Sequence, residues 1–190
     1  MTAPLANAKC ILREQVRGRL QSISPAHRLT ESAQLCARLK AADFWQSAKS
    51  VLFFAPLPGE PDIWPLLEFA LHEQKLAALP YFDAEQNAYS ARRITNPLAD
   101  VQPGKFGIRE PGASCLVVPL NQLDLTLVPG VAFDLSGRRL GRGRGFYDRL
   151  LALAGGVKCG VAFDEQIVDA IPAEPHDVTL NRILTPTRWL

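Results

Sequence analysis

Leu125–Leu151 reads LTLVPGVAFDLSGRRLGRGRGFYDRLL, and this stretch organises the interpretation of the whole chain. It opens with an apolar, β-prone segment at 125–128 and breaks at Pro129-Gly130. A second short apolar segment follows, and turn residues at 134–137 close it. The residues at 146–151 are typical of the first turns of a helix. The stretch therefore predicts a strand, a loop and a helix in that order.

The segment between the turn and the helix is rich in arginine and glycine. Arg138–Gly145, which we call the arginine-glycine segment, holds four arginines and three glycines in eight residues. Glycines let backbone N–H groups approach an anion without an intervening Cβ. The start of the following helix adds unpaired N–H groups and the positive end of its dipole. Because arginine supplies forked donors that match phosphate oxygens, the segment predicts a phosphate site. A solvated surface loop is the alternative.

The spacing and the overall charge narrow the kind of ligand. Gly141, Gly143 and Gly145 fit neither the P-loop, which closes on Gly-Lys-Ser/Thr, nor the dinucleotide fingerprint. Arginine-glycine segments also bind RNA, but those usually lie in disordered tails, and this one is flanked by strand and helix patterns. The net charge is +2, which is too small for a general polyanion binder. We predict a small anionic ligand and no nucleic-acid partner.

Several parts of the chain together resemble the 5-formyltetrahydrofolate cyclo-ligase (5,10-methenyltetrahydrofolate synthetase) family. The central match is Pro129–Asp134 followed by Gly137–Asp148. The Lys9-Xaa-Xaa-Xaa-Arg13 element, Phe106–Pro111 and His176-Asp177 extend the resemblance over most of the chain.

Two positions depart from the residues that this family usually has. Arg144 stands where glycine, lysine or alanine is more common, and it adds bulk and a forked donor. Asn181 stands where an aspartate commonly follows the His-Asp pair, so a charge near the implied metal site is lost.

The resemblance implies ATP and 5-formyltetrahydrofolate as substrates and Mg²⁺ as a cofactor. The implied ATP-binding residues are Lys9, Arg13, Arg139, Leu140, Gly141, Arg142, Gly143, Arg144, Gly145, Phe146 and Tyr147. The implied folate-binding residues are Ala55, Glu60, Arg142, Gly143, Arg144, Gly145 and Phe146. The implied catalytic residues are Arg142, Arg144 and Tyr147. The implied Mg²⁺ ligands are Asp148 and Asp177, in keeping with the one or two carboxylates that usually hold this ion.

The implied reaction needs no nucleophilic side chain. The formyl oxygen on N5 is phosphorylated by ATP, N10 attacks the activated carbon, and phosphate leaves. The products are 5,10-methenyltetrahydrofolate, ADP and phosphate. The work of the protein is then alignment and charge stabilisation.

Each candidate residue has an ordinary structural role as its alternative. Lys9, Arg13 and Arg17 share one face of a predicted helix, where charged side chains are usually solvated. Glu60 and Asp148 lie near helix starts, where acids complement the dipole. A related protein that binds a nucleotide, CoA or a sugar phosphate without folate activity is the alternative function.

Strands that alternate with helices predict the fold class. Helices are predicted at Lys9–Ser22 and from Pro25 to about residue 41, the second with Leu29, Ala33, Cys36 and Leu39 facing inward. Val51–Ala55 reads as a strand buried on both faces, and a short helix is predicted at 167–171. The pattern favours an α/β three-layer sandwich with a mostly parallel central sheet and helices on both faces.

Length and composition set the remaining expectations. With 190 residues and 47% hydrophobic content, the chain is expected to form a single domain over residues 1–190. No apolar run approaches the roughly 20 residues of a membrane span, so no membrane partner is expected. Four cysteines without metal or redox spacing are interpreted as reduced thiols in a cytoplasmic protein. We expect it to act as a monomer.

Overall fold

The structure, a computed structural model, describes residues 3–83, 88–104, 108–143, 145–174 and 177–190. The helices are α1 (Ala3–Gln21), α2 (Pro25–Lys40), α3 (Asp43–Ser47), α4 (Trp64–His72), α5 (Pro97–Asp100) and α6 (Phe146–Leu153). The strands are β1 (Ser50–Leu52), β2 (Leu76–Asp83), β3 (Ala88–Ile94), β4 (Val101–Pro103), β5 (Arg109–Pro111), β6 (Val117–Val118), β7 (Leu125–Val128), β8 (Ala132–Asp134), β9 (Arg139–Leu140), β10 (Val157–Val161), β11 (Ile167–Val168) and β12 (Arg182–Leu184). Within these ranges, no helix has the length and apolar character needed to cross a membrane.

Seven strands of the described ranges form the central sheet. Their order is β12-β10-β7-β1-β2-β3-β6. Neighbours from β12 to β2 are parallel, whereas β3 and β6 pair antiparallel. Parallel neighbours need crossover connections, which helices usually supply. The predicted α/β fold with a mostly parallel sheet is confirmed.

Helices cover both faces of this sheet. Val51 of β1 belongs to a buried cluster with Leu35 of α2, Trp45 of α3 and residues of α4. Its neighbour Leu52 belongs to a second cluster with Leu150 of α6. Successive strand residues point to opposite faces, so α2 to α4 lie on one face and α6 on the other. This arrangement is the predicted three-layer sandwich.

A small second sheet carries the start of the arginine-glycine segment. Its order is β11-β8-β9, so Arg139 and Leu140 are strand residues rather than loop residues. The helix predicted at 167–171 is wrong, because Ile167 and Val168 pair parallel to β8. Leu140 packs with Val16 in a third cluster, and this packing anchors α1 on the small sheet.

The inward face of α2 was only partly predicted. The helix begins as expected, since the Ser24 side chain accepts a hydrogen bond from the His27 N–H. Leu29, however, is 70% exposed. Polar Ser32 is buried in its place, because its hydroxyl accepts a 3.0 Å hydrogen bond from the Asp62 N–H. The predicted inward position of Ala33 is likewise wrong, because that residue is exposed.

Candidate active site

The arginine-glycine segment joins the small sheet to α6. Gly143 and Gly145 have φ angles of 97° and 63°, in the left-handed region that glycine adopts without a steric cost. α6 begins at Phe146, and no side chain in the described part of the segment caps it. Unpaired N–H groups at a helix start attract anions. The local geometry therefore suits a phosphate group.

Arg13 of α1 fixes the middle of this segment. Its Nε donates a 2.9 Å hydrogen bond to the Gly141 carbonyl. A Cβ placed on Gly143 would lie 3.4 Å from Arg13 Nη2, so the backbone passes close to the guanidinium. Burial is the main cause that lowers the pKa of Arg13. Arg13 of α1 is thus brought to the predicted ATP residues of the segment.

Lys9 lies one helical turn earlier and is almost fully buried. It is 6% exposed, and its Nζ lies 3.2 Å from Glu174 Oε2 and 3.1 Å from Asp177 Oδ2. Asp177 also accepts a 2.8 Å hydrogen bond from the Glu174 N–H. Lys9 is therefore not a solvated surface residue, whereas Arg17 on the same helix is exposed.

An ion pair connects the segment to the loop that follows β1. Arg142 Nη2 lies 2.7 Å from Glu60 Oε1, and the two side chains are 53% and 10% exposed. The other oxygen, Glu60 Oε2, accepts a 3.0 Å hydrogen bond from the Leu57 N–H. This contact joins a predicted ATP-binding residue to a predicted folate-binding residue.

The first residues of α6 form an aromatic wall beside this ion pair. The Phe146 ring lies 5.2 Å from the ring of Phe82 and 5.6 Å from that of Tyr89. The Tyr147 hydroxyl oxygen is buried and has no hydrogen-bond partner within the described residues. Burial, followed by the negative charge of Glu60, raises the pKa of Tyr147. Tyr147 thus stays protonated and can donate a hydrogen bond, but it is unsuited to act as a base.

The range that matches a known protein family includes these site residues. A family model described as the 5-formyltetrahydrofolate cyclo-ligase family matches residues 6–186. The chain belongs to this family. It is 36% identical over 152 residues to the 5-formyltetrahydrofolate cyclo-ligase of Mycolicibacterium smegmatis, covering 76% of this chain and 77% of the relative. It is 31% identical to that of Escherichia coli K12, covering 91% and 97%.

Solved structures share the fold of this cyclo-ligase family member. The NMR structure of Aquifex aeolicus 5,10-methenyltetrahydrofolate synthetase matches with a TM-score of 0.85 at 35% identity, covering 95% of this chain and 91% of the other. The resemblance predicted from the sequence is confirmed, and the chain is an ATP-dependent ligase of folate metabolism.

Both predicted Mg²⁺ ligands of the cyclo-ligase chain are engaged with cations. Asp148 Oδ1 lies 2.5 Å from Arg139 Nη2, with side chains 24% and 4% exposed, and Asp177 is paired with Lys9. In the described ranges, no group of three or more acidic, histidine or cysteine side chains is placed to hold a metal. Mg²⁺ usually takes one or two carboxylates and completes its shell with phosphate and water, so a magnesium site at Asp148 and Asp177 stays a prediction.

Other predicted positions have different outcomes. Ala55 is half-buried beside the first core cluster. Arg144 and His176 lie outside the described residues. The Asn181 side chain accepts a 2.8 Å hydrogen bond from the Lys158 N–H, so this family departure has a structural partner on β10.

Sequence reasoning missed four residues that the structure places at the site: Arg28, Phe82, Tyr89 and Glu174. Phe82 and Tyr89 are cross-strand partners of β2 and β3, and only the pairing register reveals that they meet Phe146. Arg28 Nη1 donates a 2.9 Å hydrogen bond to the Gly59 carbonyl. No local pattern signals that contact, because 31 positions separate the two residues.

Proposed function

We propose that the site formed by α1, the arginine-glycine segment and the loop after β1 performs the ATP-dependent conversion of 5-formyltetrahydrofolate to 5,10-methenyltetrahydrofolate. The 2.7 Å contact between Arg142 and Glu60 carries this proposal. It joins a segment built for phosphate to a buried carboxylate suited to a pterin. One arginine can therefore lie next to both substrates.

The nucleotide side of the cleft consists of α1 and the arginine-glycine segment. Arg13 adds positive charge close to Gly141 and Gly143. Lys9 lies one turn earlier on α1, where it is paired with Glu174 and Asp177. A triphosphate placed there would meet backbone N–H groups and guanidinium donors together. Because the segment is tied to α1 and to the small sheet, these donors are organised before the ligand arrives.

The folate side consists of Ala55, Glu60 and the aromatic wall. An ionised carboxylate can only accept hydrogen bonds, and the amino and ring N–H groups of a pterin can donate them. Phe146 with its two aromatic neighbours offers a flat apolar surface for a ring. Glu60 would then exchange Arg142 for the pterin and release the arginine toward the phosphate.

The reaction proceeds in two steps on the substrates. The formyl oxygen attacks the γ-phosphorus, and the bond from that phosphorus to the ADP oxygen breaks. The N10 lone pair then attacks the formyl carbon, the carbon–oxygen bond breaks, and phosphate departs with the N10 proton. Arg142 and Arg144 stabilise the charge on the transferring group, and the protonated Tyr147 hydroxyl donates a hydrogen bond in the cleft.

Asp148 and Asp177 would hold Mg²⁺ in this proposal. The ion supplies positive charge to the phosphate oxygens when it is bound. Arg139 pairs with Asp148 and Lys9 with Asp177, which keeps the acidic groups in place.

We further propose that the chain works as a cytoplasmic monomer. All four cysteines are free thiols, two of them buried, which suits a reducing compartment.

The formation of the methenyl product tests the proposed function directly. The conjugated product absorbs in the near ultraviolet, so absorbance is followed after mixing the chain with 5-formyltetrahydrofolate, Mg²⁺ and ATP. An increase that requires ATP is expected. No increase, together with no heat of binding for 5-formyltetrahydrofolate in calorimetry, would favour the alternative of a different phosphorylated ligand.

A further inference from the structure

Arg28 makes a set of contacts that the proposed reaction does not use. It lies in the first turn of α2, and among the residues with described positions its guanidinium donates only to backbone carbonyls. The acceptors are Ile23 O at 3.2 Å, Gly59 O at 2.9 Å and Leu20 O. It makes no ion pair with any described carboxylate. The forked guanidinium therefore acts as a clamp that joins the end of α1 and the turn after it to the loop at Gly59.

The clamp connects the two halves of the cleft. Leu20 is near the end of α1, the helix that carries Lys9 and Arg13. Gly59 directly precedes Glu60. The Glu60 carboxylate accepts a hydrogen bond from the Leu57 N–H and pairs with the Arg142 guanidinium. The loop that presents the carboxylate is thus fastened to the nucleotide-side helix by one side chain.

The backbone conformation at Gly59 makes this fastening matter. Its φ is 91°, and a Cβ there would lie 3.3 Å from Arg28 Nη1. A glycine in this region has more accessible conformations than other residues. The Glu60 N–H holds the turn from within by a 3.0 Å hydrogen bond to the Leu57 carbonyl, and a contact from outside the loop restricts it further. The hydrogen bond from Arg28 to the Gly59 carbonyl is such a contact.

We propose that Arg28 is a positioning residue that sets the place of Glu60 for the pterin of 5-formyltetrahydrofolate. The proposal rests on the proposed function, because it assigns Glu60 to the pterin. Arg28 touches neither substrate. Its effect is on the affinity for the folate, whereas the ATP contacts of Lys9 and Arg13 stay intact.

A purely structural clamp is the competing explanation, and substrate-specific kinetics separate the two. Arg28→Met removes the donors, and Arg28→Lys keeps one charged donor. We expect the KM for 5-formyltetrahydrofolate to rise about tenfold or more in Arg28→Met, as for other small misplacements of a binding group. The KM of Arg28→Lys for 5-formyltetrahydrofolate should lie between those of Arg28→Met and the wild type. The KM for ATP should change less than about twofold in both variants.

Arg92→Met is the matched control. Arg92 Nη1 also donates to two backbone carbonyls, those of Ala113 at 2.5 Å and Cys115 at 2.9 Å. It connects β3 to the segment before β6, so its loss tests the removal of a similar clamp elsewhere. A lower Tm with an unchanged KM for the folate is expected.

Gly59→Ala keeps the test decisive if Arg28→Met fails to fold. The added Cβ would strain the positive φ and press on Arg28 while leaving the Arg28 contacts to Leu20 and Ile23. It should raise the folate KM selectively. An active wild type with unchanged folate KM in Gly59→Ala and in whichever Arg28 variant folds would overturn the positioning role. An inactive wild type would instead refute the proposed function.

Discussion

At the scale of single residues, Arg142 shows how a solvated side chain can still have a defined place. Half of its surface is exposed, yet Glu60 holds its guanidinium. Because the arginine end of the pair is open to water, the pair should contribute little to stability, about 1 kcal/mol or less. Arg142 can therefore leave Glu60 at little cost, which the proposed move of its guanidinium from the carboxylate to the phosphoryl group requires.

Replacing Arg142 should affect the chemical step more than folding. Arg142→Ala is expected to lower kcat by about 10²–10³-fold at saturating ATP and folate, as for other lost transition-state donors. Arg138→Ala is the control, since Arg138 is an exposed neighbour outside the predicted ligand contacts. The measurement is the rate of methenyl product formation. Normal kcat in a folded Arg142→Ala variant would remove Arg142 from the catalytic residues.

At the scale of elements, two glycines in different settings respond oppositely to the same change. Gly143→Ala puts a Cβ at a φ of 97° against Arg13, which should cost about 1–3 kcal/mol of stability and raise the KM for ATP. Gly18→Ala lies inside α1 with no atom within 4 Å of the new Cβ, and should stabilise by about 0.5–1 kcal/mol. Urea unfolding and ATP kinetics of both variants provide the check, and equal effects would contradict this account of the segment.

The junction of β1 and β7 should weaken in acid through Asp124. Its Oδ2 accepts hydrogen bonds from the Lys49 N–H at 2.8 Å and the Ser50 N–H at 2.9 Å. Burial opposes ionisation, but these bonds, the Ser50 hydroxyl and the Lys49 charge outweigh it, so the pKa of Asp124 is lowered from its ordinary value. A lowered folded-state pKa means that its stabilisation is complete above the unfolded pKa and is lost as pH falls through the folded one.

Asp124→Asn is expected to lower the urea midpoint at pH 7 and to have less effect at pH 3. Asp100, whose pKa is also lowered, by hydrogen bonds from the Asn96 and Thr95 N–H groups, remains in the variant. Some acid sensitivity should therefore persist. An equal difference between variant and wild type at both pH values would show that the charge of Asp124 is not the cause.

At the scale of the whole molecule, thiol reactivity reports on the integrity of the core. Burial raises the pKa of Cys36 to about 11 and that of Cys159 to about 12, whereas Cys10 is exposed. A disulfide reagent at pH 8 should modify Cys10 first, and Cys36 and Cys159 only in urea. The check is to follow the thiolate that the reagent releases over time. The Cys10→Ser variant should lack the fast phase of this release. Rapid reaction of every thiol in the native protein would contradict the packed core.

The sequence predicted the large features because each has a local pattern. The buried run that contains β1, the cap of α2 and the arginine-glycine segment are all visible without tertiary contacts. The exposed Leu29 and the strand at Ile167–Val168 were missed, because Ser32 is buried by a distant partner and β11 exists only by pairing with β8. The Arg142–Glu60 contact spans 82 positions and needs the fold. The single-domain organisation stays a prediction.

The pairing of Lys9 with Asp177 spans 168 positions, and this has a consequence during synthesis. The helix that carries Lys9 leaves the ribosome well before the acids that neutralise its lysine are added. Closing so long a loop costs only slightly more than closing a medium one, so the delay comes from translation time. A nascent chain should therefore gain nucleotide affinity late, after most of its sheet has been made.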